Sequence, residues 1–418
     1  MIFLYRIFIN LILILSPLII LFRLIKKKED FYRFREKFSF FTKTRSKGKL
    51  VWFHGASVGE FQSIVPLLEK LEKSKKISQI LITSNTLSSS KIISKIKLKK
   101  ITHQFFPVDS NLIVKKFINY WQPSMALFID SEIWPNMTLN LNEKKIPLLL
   151  LNARITQKSY NRWIKFKIFS KLIFDKFNLC LCSNKETVGF LKKLGAKKIK
   201  YFGNLKYSQS EIEKIEIDNQ IKKFILNKTV WCASSTHNNE EKFIGLVHNK
   251  LKNKFKNLLT IIIPRHIDRK EKIRSQLIKL GLNVHMHKPK KKIDKKTDIY
   301  LVNEFGKTKS FYSIIKNIFL GGSLINHGGQ NPLEAVRYNC KILHGPNVSN
   351  FSEIYKFLNK HKISKKIYNV NQASNILKKL FNEKKKDRNI RGKINTIGLK
   401  ILNKNLREIN LILESDEV

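Results

Sequence analysis

The sequence predicts two α/β domains, each built on a parallel sheet, behind an N-terminal hydrophobic anchor. Three observations carry that prediction. At 418 residues the chain is long enough for two domains of roughly 100–200 residues each, with a segment to spare. Short apolar runs alternate with amphipathic stretches of helix length, as in strands joined by crossover helices. The alternation begins at Leu50, breaks at a polar, charged stretch from Tyr207 to Asn219 that reads as a hinge, and restarts at Val230. The expected division is an anchor over 1–28, a first domain over 29–210 and a second over 211–418, whose last helix can pack back on the first.

The anchor comes first. Residues 1–25, MIFLYRIFINLILILSPLIILFRLI, are apolar except for Arg6, Asn10, Ser16, Pro17 and Arg23, and Lys26-Lys27-Lys28 comes next. A bilayer span needs about 20 apolar residues, and there is no small-residue cleavage site of the kind a secretory signal carries. The lysines place the rest of the chain on the cytoplasmic side. Pro17 leaves two geometries open, a span and a helix lying in one leaflet. Residues 29–48 are basic and aromatic, as suits an arm near a lipid surface.

The expected strands of the first domain are Leu50–Phe53, Gln79–Thr83, Met125–Ile129, Pro147–Leu151 and Leu179–Cys182, with helices such as Phe61–Glu72 and Leu112–Tyr120 between them. Those of the second are Val230–Ala233, Leu259–Ile263, Leu282–His285, Ile299–Val302, Ile318–Leu320 and Lys341–His344. Met286–Lys296 reads as a solvated basic loop, and Arg388–Glu414 as a helical tail.

Composition narrows the partners. A formal charge of +50 calls for anionic ones: nucleic acid, a negative membrane face or a phosphorylated substrate. The lysines are spread along the chain, and no nucleic-acid module or interleaved aromatic-basic signature accompanies them, so nucleic acid is not expected. Cys180, Cys182, Cys232 and Cys340 lack both a disulfide framework and metal-ligand spacing. They read as reduced thiols.

Ligands of open α/β sheets bind beyond the carboxyl ends of the strands, so the residues just after each strand are the ones to inspect. Glu60, in His54-Gly55-Ala56-Ser57-Val58-Gly59-Glu60, can face a cleft as a general base, or can close a capping box with Ser57. Asp130 and Glu132, in DSEIWPN, can stabilise a cationic centre, bind a metal or cap a helix. Arg154 can hold an anionic acceptor, or pair at the surface. Lys206 offers a point charge at the domain junction. In the second half, ASSTH at 233–237 and PRH at 264–266 suit phosphate or carboxylate. In IFLGGSLINHGGQNPLEAV, 318–336, a strand meets two glycine pairs, and Asn331-Pro332 opens a helix whose terminus can receive phosphate. Glycines that only turn the chain, with Asn331 and Glu334 as a capping pair, are the plainer reading.

Taken together, HGASVGE at 54–60, DSEIWPN at 130–136, LNARIT at 151–156, GNLKYS at 203–208, ASSTHNNEE at 233–241, PRH at 264–266 and GGSLINHGGQNPLEA at 321–335 resemble the 3-deoxy-D-manno-octulosonic acid (Kdo) transferases, glycosyltransferase family 30, in order and spacing from about residue 30 to residue 390. The resemblance implies a GT-B fold, two Rossmann-like domains facing across a cleft, the acceptor held by the first half and the nucleotide by the second. It implies inverting, metal-independent transfer of Kdo from CMP-Kdo to the lipid A precursor, a tetraacyl disaccharide bisphosphate, with no cofactor. It places the general base at Glu60 and transition-state stabilisation at Asp130 and Lys206. The nucleotide contacts fall on Pro264, Arg265, Phe305, Gly306, Lys307, Asn331, Pro332, Leu333 and Glu334, the last accepting from ribose hydroxyls. It also places the anchor in the inner membrane, with the catalytic domains on the cytoplasmic side. No oligomeric state follows from it.

The sequence departs from the family pattern at three positions: Asp130 where a Glu is expected, Lys307 where an acid is expected and Gln330 where a His is usual. Lys307 reverses a charge, so only backbone contacts carry over there. The other readings of the chain are a GT-B transferase using a different nucleotide sugar, and a non-catalytic basic binder of membrane or nucleic acid.

Overall fold

A computed structural model describes residues 1–209, 217–287, 293–383 and 390–415. Parts of the expected hinge, of the basic loop and of the tail lie outside the described residues. The chain forms two compact units, Met1–Gln209 with Asn395–Val418, and Ser210–Ile394.

The first unit carries a seven-stranded parallel sheet: β1 (Lys49–Gly55), β2 (Ile77–Ser84), β3 (Ile101–Phe105), β4 (Met125–Ile129), β5 (Leu148–Ala153), β6 (Leu179–Cys182) and β7 (Ile199–Tyr201). Its order is β3-β2-β1-β4-β5-β6-β7. Chain direction across the sheet therefore reverses between β1 and β4, and the carboxyl ends of those two strands form the switch point at which such sheets bind ligands. The central strands are buried on both faces, which is why they read as unbroken apolar runs.

The second unit repeats the plan with β8 (Thr229–Thr236), β9 (Leu258–Pro264), β10 (Val284–Met286), β11 (Ile299–Leu301), β12 (Asn317–Leu320), β13 (Lys341–His344) and β14 (Ser364–Lys366), in the order β10-β11-β9-β8-β12-β13-β14. Its switch point lies between β8 and β12.

Three strands go beyond the sequence expectation: β3, β7 and β14. Each sits at a sheet edge, and their sequences, ITHQF, IKY and SKK, contain no apolar run, because an edge strand needs to bury little. The helix expected to open at Asn331 is a single turn, Leu333–Arg337, and starts two residues later.

Helix α1 (Ile2–Ile25) is long and apolar enough to cross a membrane by length and composition. The basic-aromatic stretch behind it is largely folded onto the domain and is not a free arm. Glu36 is buried, accepts from Arg33 Nε and Nη2 at 2.8 and 3.0 Å, and accepts from the Phe105 amide at 2.7 Å. Phe41 stacks on Tyr120 with ring centroids 3.7 Å apart. Phe31, Tyr32 and Phe40 stay exposed.

Candidate active site

In the first unit, α2 (Val58–Glu72) begins directly after β1. Ser57 is its N-cap and accepts from the Glu60 amide at 3.3 Å, while the Glu60 carboxylate returns to the Ser57 hydroxyl and the Ala56 amide where a capping box would use the Ser57 amide. Its Oε1 accepts from the Ser57 hydroxyl at 2.6 Å, and its Oε2 accepts from the Ala56 amide at 2.7 Å. Gly55 makes room, since a Cβ there would come within 3.1 Å of Glu60 Oε2, Ile129 and Phe61. Burial and the charge of Asp130 push the Glu60 carboxyl up to about 7, against the two hydrogen bonds, with Glu132 adding to the rise. A carboxyl tuned to neutrality and fixed at two oxygens has the properties of a general base.

Asp130 follows β4 with a left-handed backbone, φ 57°, uncommon for a residue with a Cβ. Asn152, next to last in β5, is left-handed too, φ 53°, and explains the arrangement. Its Nδ2 donates to Asp130 Oδ1 at 2.7 Å, while its Oδ1 accepts from the Leu205 amide at 2.9 Å. One amide side chain thus joins the Asp130 turn to the 3-10 turn Leu205–Ser208 that carries Lys206. Burial raises the Asp130 carboxyl, and the charges of Lys206 and Arg154 together with the Asn152 bond oppose the rise. The structure brings Glu60, Asp130 and Lys206 into one electrostatic neighbourhood, with Arg154 beside them.

Glu132 belongs to the same group. Burial would raise it, but hydrogen bonds from His54 at 3.2 Å and Trp134 at 3.0 Å, with the His54 charge, hold it below the usual range. His54 is fully buried and its Nδ1 lies 3.0 Å from Thr83 Oγ1, so the imidazole links β2 to the loop after β4. His54, Trp134 and Asn152 stand in the sequence motifs with no role assigned by pattern alone. His54 and Asn152 are each next to last in a strand, β1 and β5, and Trp134 caps the helix Pro135–Glu143.

In the second unit, Glu240 organises the switch point. Its carboxylate accepts from the amides of His237 (2.9 Å), Gly322 (2.7 Å), Ser323 (3.1 Å) and Leu324 (3.0 Å). The first glycine pair therefore serves an internal carboxylate. The second pair is tied back to the first, the Gly329 amide donating to the Gly322 carbonyl at 2.8 Å. Gly322 has φ 66°, and a Cβ there would lie 3.2–3.3 Å from the rings of His327 and His237. Asn331 Oδ1 accepts from the Leu333 amide at 3.2 Å, which fixes the turn before Glu334.

Around this loop the charges are positive. The ring centroid of His237 lies 4.3 Å from that of His327 and 5.8 Å from that of His266. Burial, then His327, His266, Arg265 and Arg269, push the His237 imidazole down to about 4. Burial and neighbouring basic side chains both disfavour the charged form of such an imidazole. Arg265 is exposed at the end of β9, after Pro264, whereas Arg269 is committed to Glu241 through two bonds of 3.1 and 3.0 Å. Phe305 and Gly306 stand exposed after β11. Lys307 pairs with Glu304 at 3.2 Å, so its reversed charge is neutralised within the loop. Glu334 acts on the buried Arg337, whose guanidinium burial draws down to about 10 while Glu334 opposes the fall.

Among the described residues no three His, Cys, Asp or Glu side chains gather as a metal site would need. The four cysteines are buried and unpaired with one another.

Comparison with known proteins gives the same direction. The profile of the family described as 3-Deoxy-D-manno-octulosonic-acid transferase (kdotransferase) matches residues 32–209. A 3-deoxy-D-manno-octulosonic acid transferase of Rickettsia bellii is 33% identical over 369 residues, covering 87% of each chain. Another, of Haemophilus influenzae, is 27% identical over 417 residues, covering 97% of this chain and 96% of that one. Among solved structures, a glycosyltransferase of Rickettsia africae superposes with a TM-score of 0.58 at 13% identity, covering 88% of this chain and 99% of that one. The UDP-GlcNAc 2-epimerase of Neisseria meningitidis does so with 0.56 at 14%, covering 86% and 100%. These two likenesses concern the fold alone.

Two Rossmann-like parallel sheets, each with polar groups gathered at its switch point, give the chain a fold of the GT-B class. The chain belongs to the 3-deoxy-D-manno-octulosonic acid (Kdo) transferase family.

Proposed function

We propose that this protein transfers Kdo from CMP-Kdo to the lipid A precursor at the cytoplasmic face of the inner membrane, as an inverting, metal-independent step of lipopolysaccharide core assembly. The observation that supports the mechanism most is the Glu60 carboxyl, lifted to about 7 and held at both oxygens at the end of β1. Glu60 takes the proton of the acceptor's primary hydroxyl as that oxygen bonds to the anomeric carbon. The bond from that carbon to the phosphate oxygen of CMP breaks at the same time, and CMP departs as an anion. Asp130 with Lys206 steadies the charge that develops, and Arg154 offers a cation to the phosphorylated acceptor.

Arg265 and the histidines around His237 supply positive charge where the leaving phosphate gains negative charge, which lowers the barrier because the groups are already in place. Pro264, Phe305, Gly306 and the backbone of Lys307 hold CMP together with Asn331, Pro332, Leu333 and Glu334, the last through the ribose hydroxyls. Gln330 stays within hydrogen-bonding reach of this cluster, 3.4 Å from His237, in place of the usual histidine.

The test is a donor comparison with purified protein and the tetraacyl disaccharide bisphosphate. Product that gains Kdo from CMP-Kdo, with no turnover of UDP-sugars, is the expected result, and its mass counts the units added. Turnover of a UDP-sugar alone would replace this reading with another GT-B transferase.

A further inference from the structure

Helix α1 is fastened to the first unit near both of its ends. Near its start, the Tyr5 hydroxyl donates to Asp109 at 2.7 Å, Arg6 Nε donates to Asn136 at 3.0 Å, and Asn10 accepts from Ser110 at 3.1 Å. Near its end, Arg23 and Lys37 share Glu29 Oε1, at 2.5 and 2.6 Å, and the Lys37 carbonyl accepts from the Val108 amide at 2.8 Å. Between these points, the half-buried or buried positions Tyr5, Ile9, Ile12, Ser16, Ile20 and Arg23 recur every three or four residues. That spacing is one stripe of a helix, and it runs about 27 Å at 1.5 Å per residue. The opposite face is wholly apolar and open, with Phe3, Ile14 and Ile25 at 70, 74 and 72% exposure.

A helix tied to a folded domain near both of its ends cannot cross a hydrocarbon layer about 30 Å thick without drawing the domain in with it. Asp109, Asn136 and the Arg23–Glu29 pair would then enter lipid, which their polarity forbids.

The open apolar face does not end with α1. The Phe169 ring, on the helix Lys167–Phe174, lies 6.2 Å from Tyr5, and on that helix Ile168 and Leu172, four residues apart, are exposed, Ile168 by 87%. Leu112, likewise exposed, follows Asn111, whose side chain accepts from Arg6 at 3.5 Å. Exposed lysines border these residues: Lys26, Lys27 and Lys28 after α1, Lys115 and Lys116 near Leu112, and Lys167 and Lys171 near Ile168. An apolar strip with a basic border complements an anionic lipid surface.

We infer that α1, Leu112 and the Ile168–Leu172 face form one in-plane membrane-binding surface, seated in a single leaflet of an anionic bilayer with α1 parallel to the membrane. This inference is independent of the transfer chemistry, and its readout is depth, not activity. Leu4, Leu11, Leu18 and Ile25 are spaced by seven on the exposed face of α1. Each is replaced by Cys in the full chain and spin-labelled, the four native cysteines being buried, and immersion depth is measured in vesicles rich in phosphatidylglycerol. The expected result is four similar shallow depths, with a label at Ile168→Cys in lipid as well. A spanning helix would instead give shallow ends and a deep centre, since Leu4 and Ile25 would stand about 31 Å apart along the normal, and that profile would overturn the inference. So would labels that stay out of lipid and broaden one another with protein concentration, the sign of a second copy on this face. Ile168→Asp, outside the catalytic groups, should lower partition into the same vesicles by about tenfold, the scale of one lost apolar anchor.

Discussion

Glu60 is the side chain on which the proposed chemistry turns. The sequence offered it two roles, cap and base; the structure shows bonds from Ser57 and Ala56 that hold both carboxylate oxygens, which is the fixed geometry the proposed proton transfer needs. Its carboxyl titrates near 7 in the fold, above the usual range near 4.3 for the unfolded chain. The folded state therefore holds the proton more tightly, so stability from this group is complete at low pH and lost as pH rises through 7, while the base form appears over the same interval. We expect kcat/KM to rise with pH through an apparent pKa near 7 in wild type, and that limb to vanish in Glu60→Gln. Asn152 is the residue that sequence reasoning passed over, because nothing in a one-dimensional pattern shows an amide joining the turn at Asp130 to the turn at Leu205. Asn152→Ala loses both bonds and leaves a Cβ on a left-handed backbone. It should cost about 2–3 kcal/mol in urea unfolding and lower kcat about tenfold, with the KM for the donor unchanged.

At the scale of elements, the strands that bury both faces were legible, since burial writes itself as an apolar run. Edge strands β3, β7 and β14 were not, because partial exposure leaves their composition ordinary. The loop after β12 holds an internal contact that its glycine pattern does not show. Its first glycine pair packs around Glu240, and no local pattern announces that a carboxylate some eighty residues earlier accepts its amides. Glu240→Ala removes the shared acceptor of four amides. It should lower CMP affinity at least about tenfold by calorimetry and cost about 3 kcal/mol of stability; undiminished CMP binding would show that the loop does not depend on Glu240. Asp109 shows a similar economy in the first unit. It receives Tyr5 of α1 and the amides of Asn136 and Met137, so one buried carboxyl, raised by burial to about 7 against those bonds, ties the anchor to the helix just after Asp130–Trp134.

Across the whole molecule, the same plan is used twice, and the polar groups collect where each sheet changes direction, at β1/β4 and at β8/β12. Alternation of apolar and amphipathic stretches was enough to see both sheets. The particular activity became legible only through motifs whose residues lie far apart in sequence, since the switch point draws its side chains from the ends of different strands. The charge of +50 and the apolar face of α1 concern partners, and both suit an anionic lipid held at a membrane. The most direct test of the account is the rate of Kdo transfer from CMP-Kdo to the lipid A precursor by wild type and Glu60→Gln at saturating substrates and pH 8. The account predicts a loss of at least ~100-fold, the scale of a missing general base, with unchanged unfolding and unchanged CMP affinity. Transfer by Glu60→Gln within a few-fold of wild type would contradict it.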